Sequence, residues 1–145
     1  MESDSDLLFK FYRASIGLTH MIDTRLQRQF GIPYVQAVFL IELGRMTGAQ
    51  PKELAGKIGT TSQSTTSVLD RLEKQGLVER IRDLEDRRGV RLELTPKAHG
   101  LIEPLELAIE GEARAAVCDL GELKPTFELI LNKLSAVSDR AARRR

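Results

Sequence analysis

The chain has 145 residues, 41% of them apolar and 30% charged, with a formal net charge of +1. That length suits one compact domain with a helical extension, and no apolar run is long enough to span a membrane. The single cysteine, Cys118, excludes an internal disulfide framework and fits a reducing cytoplasm, and the acidic start MESDSD lacks the pattern of a secretory signal.

Charge is unevenly spread. Residues 45–100 carry 11 Lys/Arg against 8 Asp/Glu, while both flanks are slightly acidic. Arg80, Arg82, Arg87, Arg88 and Arg91 fall within twelve positions of one another.

Residues 7–30 read as a long amphipathic helix, with Leu8, Phe11, Tyr12, Ile16, Met21, Ile22, Leu26 and Phe30 at three- and four-residue spacing. Gly31 and Pro33 end it. A second helix over 34–43 places Val35, Val38, Phe39 and Leu43 inward. Pro51 opens a short third helix through Leu54, Ala55 and Ile58, which Gly59 ends. Gly56 inside it costs about 1 kcal/mol relative to alanine.

Thr61 is placed to cap a fourth helix over about 62–75. Thr65, Val68, Leu69 and Leu72 line one of its faces; Ser62, Gln63, Thr66 and Ser67 line another. Gly76 stops it. A hairpin follows, in which Leu77, Val78 and Ile81 begin one strand and Val90, Leu92 and Leu94 alternate with Arg91 and Glu93 in the next. Thr95 and Pro96 then start a fifth helix through Leu101, Leu105 and Ile109. A last helix runs from near 124 to about 142. Its Phe127, Ile130, Leu134, Val137 and Ala141 form a narrow heptad-like seam.

Helix, turn, helix and basic hairpin in this order make a winged helix-turn-helix. An α-helix fits the major groove of DNA and presents side chains to base edges. Residues 62–67, SQSTTS, are small, polar and rich in hydrogen-bonding groups, more than self-capping needs. The candidate DNA contacts are Thr61, Ser62, Gln63, Ser64, Thr66, Ser67 and Arg71. Arg87 and Arg88 join them from the wing, where an arginine at the tip can enter a narrow minor groove. Asp83 and Asp86 are read as shaping that turn.

No phosphate-cradling loop, nucleophile turn or Cys-His cluster is present, so the sequence points to no enzyme, metal site or cofactor. His20 and His99 lie too far apart in sequence for a helical metal pair. Tyr12, His20, Tyr34 and Phe39 are candidates for a small-molecule pocket between the first two helices, and each is equally readable as core or surface. Cys118, beside Ala115, Ala116 and Val117, reads as a small buried or interface residue. A protein-interaction module whose hairpin docks an acidic partner is the rival reading.

The D-R-L-E-K-x-G-L-V-E-R run at 70–80, the D-x-x-D-R-R wing at 83–88 and the L-T-P-K at 94–97 resemble the DNA-binding core of MarR-type transcriptional regulators. The likeness extends, more weakly, over nearly the whole chain. It departs at Thr65, where the family often has an apolar residue. The resemblance implies a mainly α fold with a small β wing, a winged helix-turn-helix flanked by N- and C-terminal dimerisation helices. Residues 1–145 would form a single MarR-type domain. Within it, 34–96 would be the DNA-binding lobe, and 7–30 and 97–142 the dimerisation helices. It further implies a cytoplasmic homodimer that binds double-stranded DNA at a palindromic operator, commonly as a repressor released by a small-molecule effector.

Overall fold

In the computed structural model, the residues described are 1–82, 84–85 and 89–143. They form α1 (Asp4–Phe30), α2 (Tyr34–Gly44), α3 (Pro51–Ile58), α4 (Ser62–Lys74), β1 (Val78–Arg82), β2 (Val90–Leu94), α5 (Pro96–Val117), a 3-10 segment (Cys118–Leu123) and α6 (Lys124–Ala142). The fold is mainly α with a two-stranded antiparallel wing. No described helix is long and apolar enough to cross a membrane. Two compact units emerge, Met1–Glu112 and Ala113–Arg145.

In the first unit α2 is central and packs against α1, α3, α4 and β2. Ala37, Phe39, Leu40, Ile41 and Leu43 are all buried, as suits a helix covered on several sides. The inward set differs from the expected one at Val35, which is exposed, while Gln36 is buried. The neighbours of α2, which periodicity does not specify, decide which flank is covered. Pro33 supplies no side-chain cap for α2. Asp23 of α1 does so instead, its carboxylate accepting from the Tyr34 amide at 2.8 Å.

α1 begins at Asp4, three residues before the expected start. Ser3 and Asp6 form a reciprocal capping box that satisfies free amides of the first turn. Hydrogen bonds from the side chain and backbone of Ser3 hold the Asp6 pKa below its ordinary value. Ile22 and Leu26 bury the C-terminal half of α1, while Leu7, Leu8, Phe11, Tyr12 and Ile16 remain exposed.

The wing is tied to the helices at its base. Val78 pairs with Leu94 and Arg82 with Val90 in the strand register. The Leu92 amide donates to the Ala49 carbonyl at 2.8 Å, which docks the loop after α2 onto β2. Gly48 in that loop has φ +62, and a Cβ there would lie 2.6 Å from Arg91 Cδ. Thr95 closes the hairpin: its hydroxyl donates to the Gly76 carbonyl and accepts from the Ala98 amide, at 2.7 and 3.3 Å. α5 continues through Pro104 and Gly111. Pro104 removes an amide that would otherwise bond Gly100, yet the burial of Leu105 helps to hold the helix together.

The second unit holds the end of α5, the 3-10 segment and α6. Gly121, at φ 49 and ψ −121, interrupts the 3-10 segment before α6 starts. Cys118 is exposed in the single chain, so of the two expected settings, buried or interface, it is not the buried one; it donates to the Ala115 carbonyl at 3.2 Å. Phe127, Ile130, Leu134 and Val137, the expected seam, are all exposed in the single chain.

Candidate nucleic-acid interface

α4 and the wing form one continuous structural element. Thr61 caps α4 by accepting from the Ser64 amide at 3.1 Å. Thr65, Val68, Leu69 and Leu72 are buried, and this inner face fixes the rotation of the helix. Thr65 fits among apolar neighbours because its hydroxyl donates to the Thr61 carbonyl at 2.8 Å, leaving its methyl group to pack.

At its other end α4 closes with a Schellman turn. Gly76 has φ +69, and the Leu77 amide reaches back to the Leu72 carbonyl at 2.9 Å. β1 therefore departs at a set angle from the helix, with Leu77 and Val78 buried beneath it.

This rotation leaves Ser62, Gln63, Ser64, Thr66, Ser67 and Arg71 exposed. Their hydroxyls are not equivalent. Thr66 donates to the Ser62 carbonyl at 3.0 Å, and Ser64 bonds the Thr61 hydroxyl at 3.0 Å. Among the described residues, the Ser62, Gln63 and Ser67 side chains make no hydrogen bond, so they retain their full capacity for a ligand. The helix N-terminus adds unpaired amides that favour an anion such as phosphate.

The arginines divide into two groups, which the sequence alone did not distinguish. Arg80 is committed inward: its guanidinium donates to Asp70 Oδ1 at 2.7 Å and to Glu73 Oε2 at 2.5 Å, both on α4. Its partial burial acts to lower the pKa, but the bonds and charges of Asp70 and Glu73 outweigh this and raise it. Arg91 pairs with Glu93 at 2.9 Å. Arg82 is exposed at the end of β1. Asp83, Asp86, Arg87 and Arg88 lie outside the described residues.

The four candidate pocket residues share no cavity. Phe39 is 2% exposed and belongs to the core of α2. Tyr12 and His20 are exposed at separate places on α1. Tyr34 lines a cavity of about 450 Å³ between α2 and α5, with Val38, Glu42, Arg45, Glu106 and Leu107, whereas Tyr12 and His20 each line a different hollow along α1. Arg45 spans its rim, donating to Glu42 at 3.1 Å and to Glu106 at 2.8 Å. The α5 side of this cavity was missed because its residues lie some 60 positions from α2, and their helical spacing reads equally as surface.

A sequence model of the MarR family matches residues 32–90, from just after α1 to the first residue of β2. Over this stretch the chain is similar to the MarR family. It is 28% identical over 133 residues to the transcriptional regulator SarZ of Staphylococcus saprophyticus, covering 90% of each chain. It is 36% identical over 63 residues to the transcriptional repressor MprA of Escherichia coli, covering 43% of this chain and 36% of that one. Its fold is similar to that of MepR in the S. aureus MepR–DNA complex, with a TM-score of 0.83, 23% identity, and 94% and 99% of the two chains covered. The winged-helix fold is thus one that this chain shares with transcriptional regulators similar to it in sequence.

Proposed function

We propose that the protein is a cytoplasmic homodimeric repressor that binds a palindromic operator and is released by a small-molecule effector. The observation that carries the DNA-reading part is the exposed Ser62–Gln63–Thr66–Ser67 face of α4 beside the wing. Two such helices, brought about one helical turn of DNA apart by a dimer, would read symmetric half-sites. Residues 34–96 act as the reading lobe, and 7–30 and 97–142 join the subunits. The exposed apolar residues of α1 and α6 support that assignment, since large apolar patches on a lone chain mark association surfaces. MprA, a repressor, supplies the precedent for the sign of regulation.

The cavity between α2 and α5 is of a size to hold an effector. Selection of genomic fragments by the purified protein, with and without small organic molecules, tests the whole reading. A single palindrome lost on adding an effector is expected; indifferent binding across sequences would sink it.

Two substitutions separate base reading from backbone contact. Gln63→Ala should change the selected sequence, at about 1–3 kcal/mol per lost base contact. Arg88→Ala should leave the sequence unchanged and lower the salt slope by about one unit. An unchanged slope would remove Arg88 from the interface.

A further inference from the structure

We propose that Arg80 is a charge mask for the DNA-facing side of α4, holding two carboxylates out of reach of the phosphate backbone. The inference rests on α4 facing DNA, as proposed above. Successive helical residues turn by about 100°, so positions 62, 66, 70 and 73 fall within an arc of about 80°. Asp70 and Glu73 therefore continue the stripe that starts with Ser62 and Thr66. Neither carboxylate is buried; their side chains are 51% and 44% exposed. Two bare anions on that stripe would face a polyanion, which is a poor design for a reading helix.

Arg80 resolves the conflict. It reaches across from β1 and gives one guanidinium nitrogen to each carboxylate. Its side chain is 25% exposed, against 44% for Arg91. A guanidinium is suited to this because it stays charged and presents several donors in one plane. The same bonds span the Schellman turn at Gly76, so they also link the wing strand to the helix that it accompanies. Arg80 is thus a positioning residue, and its own contact with phosphate is not required.

The test uses the full chain, a fluorescent duplex of random sequence and a second duplex selected by the wild type. Thermal melting of each variant accompanies the titrations. Arg80→Gln should weaken binding to both duplexes roughly tenfold at low salt, with a smaller loss as added salt screens the exposed carboxylates. Combining Arg80→Gln with Asp70→Asn and Glu73→Gln should restore affinity to within about threefold of wild type. Asp70→Asn with Glu73→Gln, leaving Arg80 intact, should bind at least as tightly as wild type. The triple variant carries the decision even if Arg80→Gln alone folds poorly. If the triple variant remains tenfold weak, Arg80 contacts phosphate itself or serves only the fold, and the mask is overturned. Full affinity in Arg80→Gln would overturn it as well. If the wild type binds neither duplex, the DNA-facing reading of α4 fails first and the mask fails with it.

Discussion

Leu40, Leu72 and Leu92 in the winged lobe are fully covered, whereas Ile130, Leu134 and Val137 along α6 stand open to solvent. The residue types are alike, and both sets follow regular helical or strand spacing. The lobe and the helices packed on it surround these leucines with residues of α1 to α5 and a hairpin, all from one chain. α6 and the first half of α1 expose rows of apolar side chains that their own units do not cover. The contrast separates the part of this protein whose core closes within one chain from the part whose apolar side chains its own unit leaves open, the surface proposed above to join subunits.

The same truncation made in each region gives the sharpest break in that comparison. Leu92→Ala should cost about 2–5 kcal/mol in urea unfolding, independently of protein concentration. Leu134→Ala should lower the melting temperature only at concentrations where subunits associate, if the proposed subunit contact along α6 is the one it removes. Equal, concentration-independent losses at both sites would erase the distinction.

Gly48→Ala probes how tightly the wing is docked to the lobe. It meets both a positive φ and the Arg91 side chain, so a loss of at least about 1 kcal/mol is expected. An unchanged unfolding curve would show that the loop adjusts freely. Gly56→Ala, by contrast, meets nothing within 4 Å and should stabilise α3 by about 0.4–1 kcal/mol without altering duplex affinity.

The smallest effect concerns the exposed end of α1. A carboxylate whose folded pKa is depressed supports the fold above its unfolded pKa, and that support fades as pH falls through the folded value. Asp6 is such a group, so acidification should speed amide exchange in the first turn of α1 while leaving the lobe protected. Exchange in that turn that shows no such acid sensitivity, once intrinsic rates are allowed for, would remove the Asp6 link.

Much of this molecule was legible before its structure. Pro51, Thr61, Gly76 and Thr95 mark element ends through local chemistry that needs no neighbour. The inner face of α4 followed from the spacing of Thr65, Val68, Leu69 and Leu72. The errors arose where a distant element mattered. Val35 was assigned inward because periodicity finds a face but does not say how wide a face its neighbours cover. Tyr12, His20, Tyr34 and Phe39 were expected as candidates for a pocket between the first two helices; the fold places Phe39 in the core and the other three at separate hollows.

The arginine-rich ribbon shows where the boundary lies. Composition and spacing alone determined that a basic hairpin follows a polar-faced helix, because hydrogen-bonding capacity and side-chain alternation are local properties. Which arginines face outward was decided by tertiary structure. Arg80 is taken up by Asp70 and Glu73 because the Schellman turn folds β1 back alongside α4. An ion pair needs its partners within a few ångströms, and only the packed fold sets that separation.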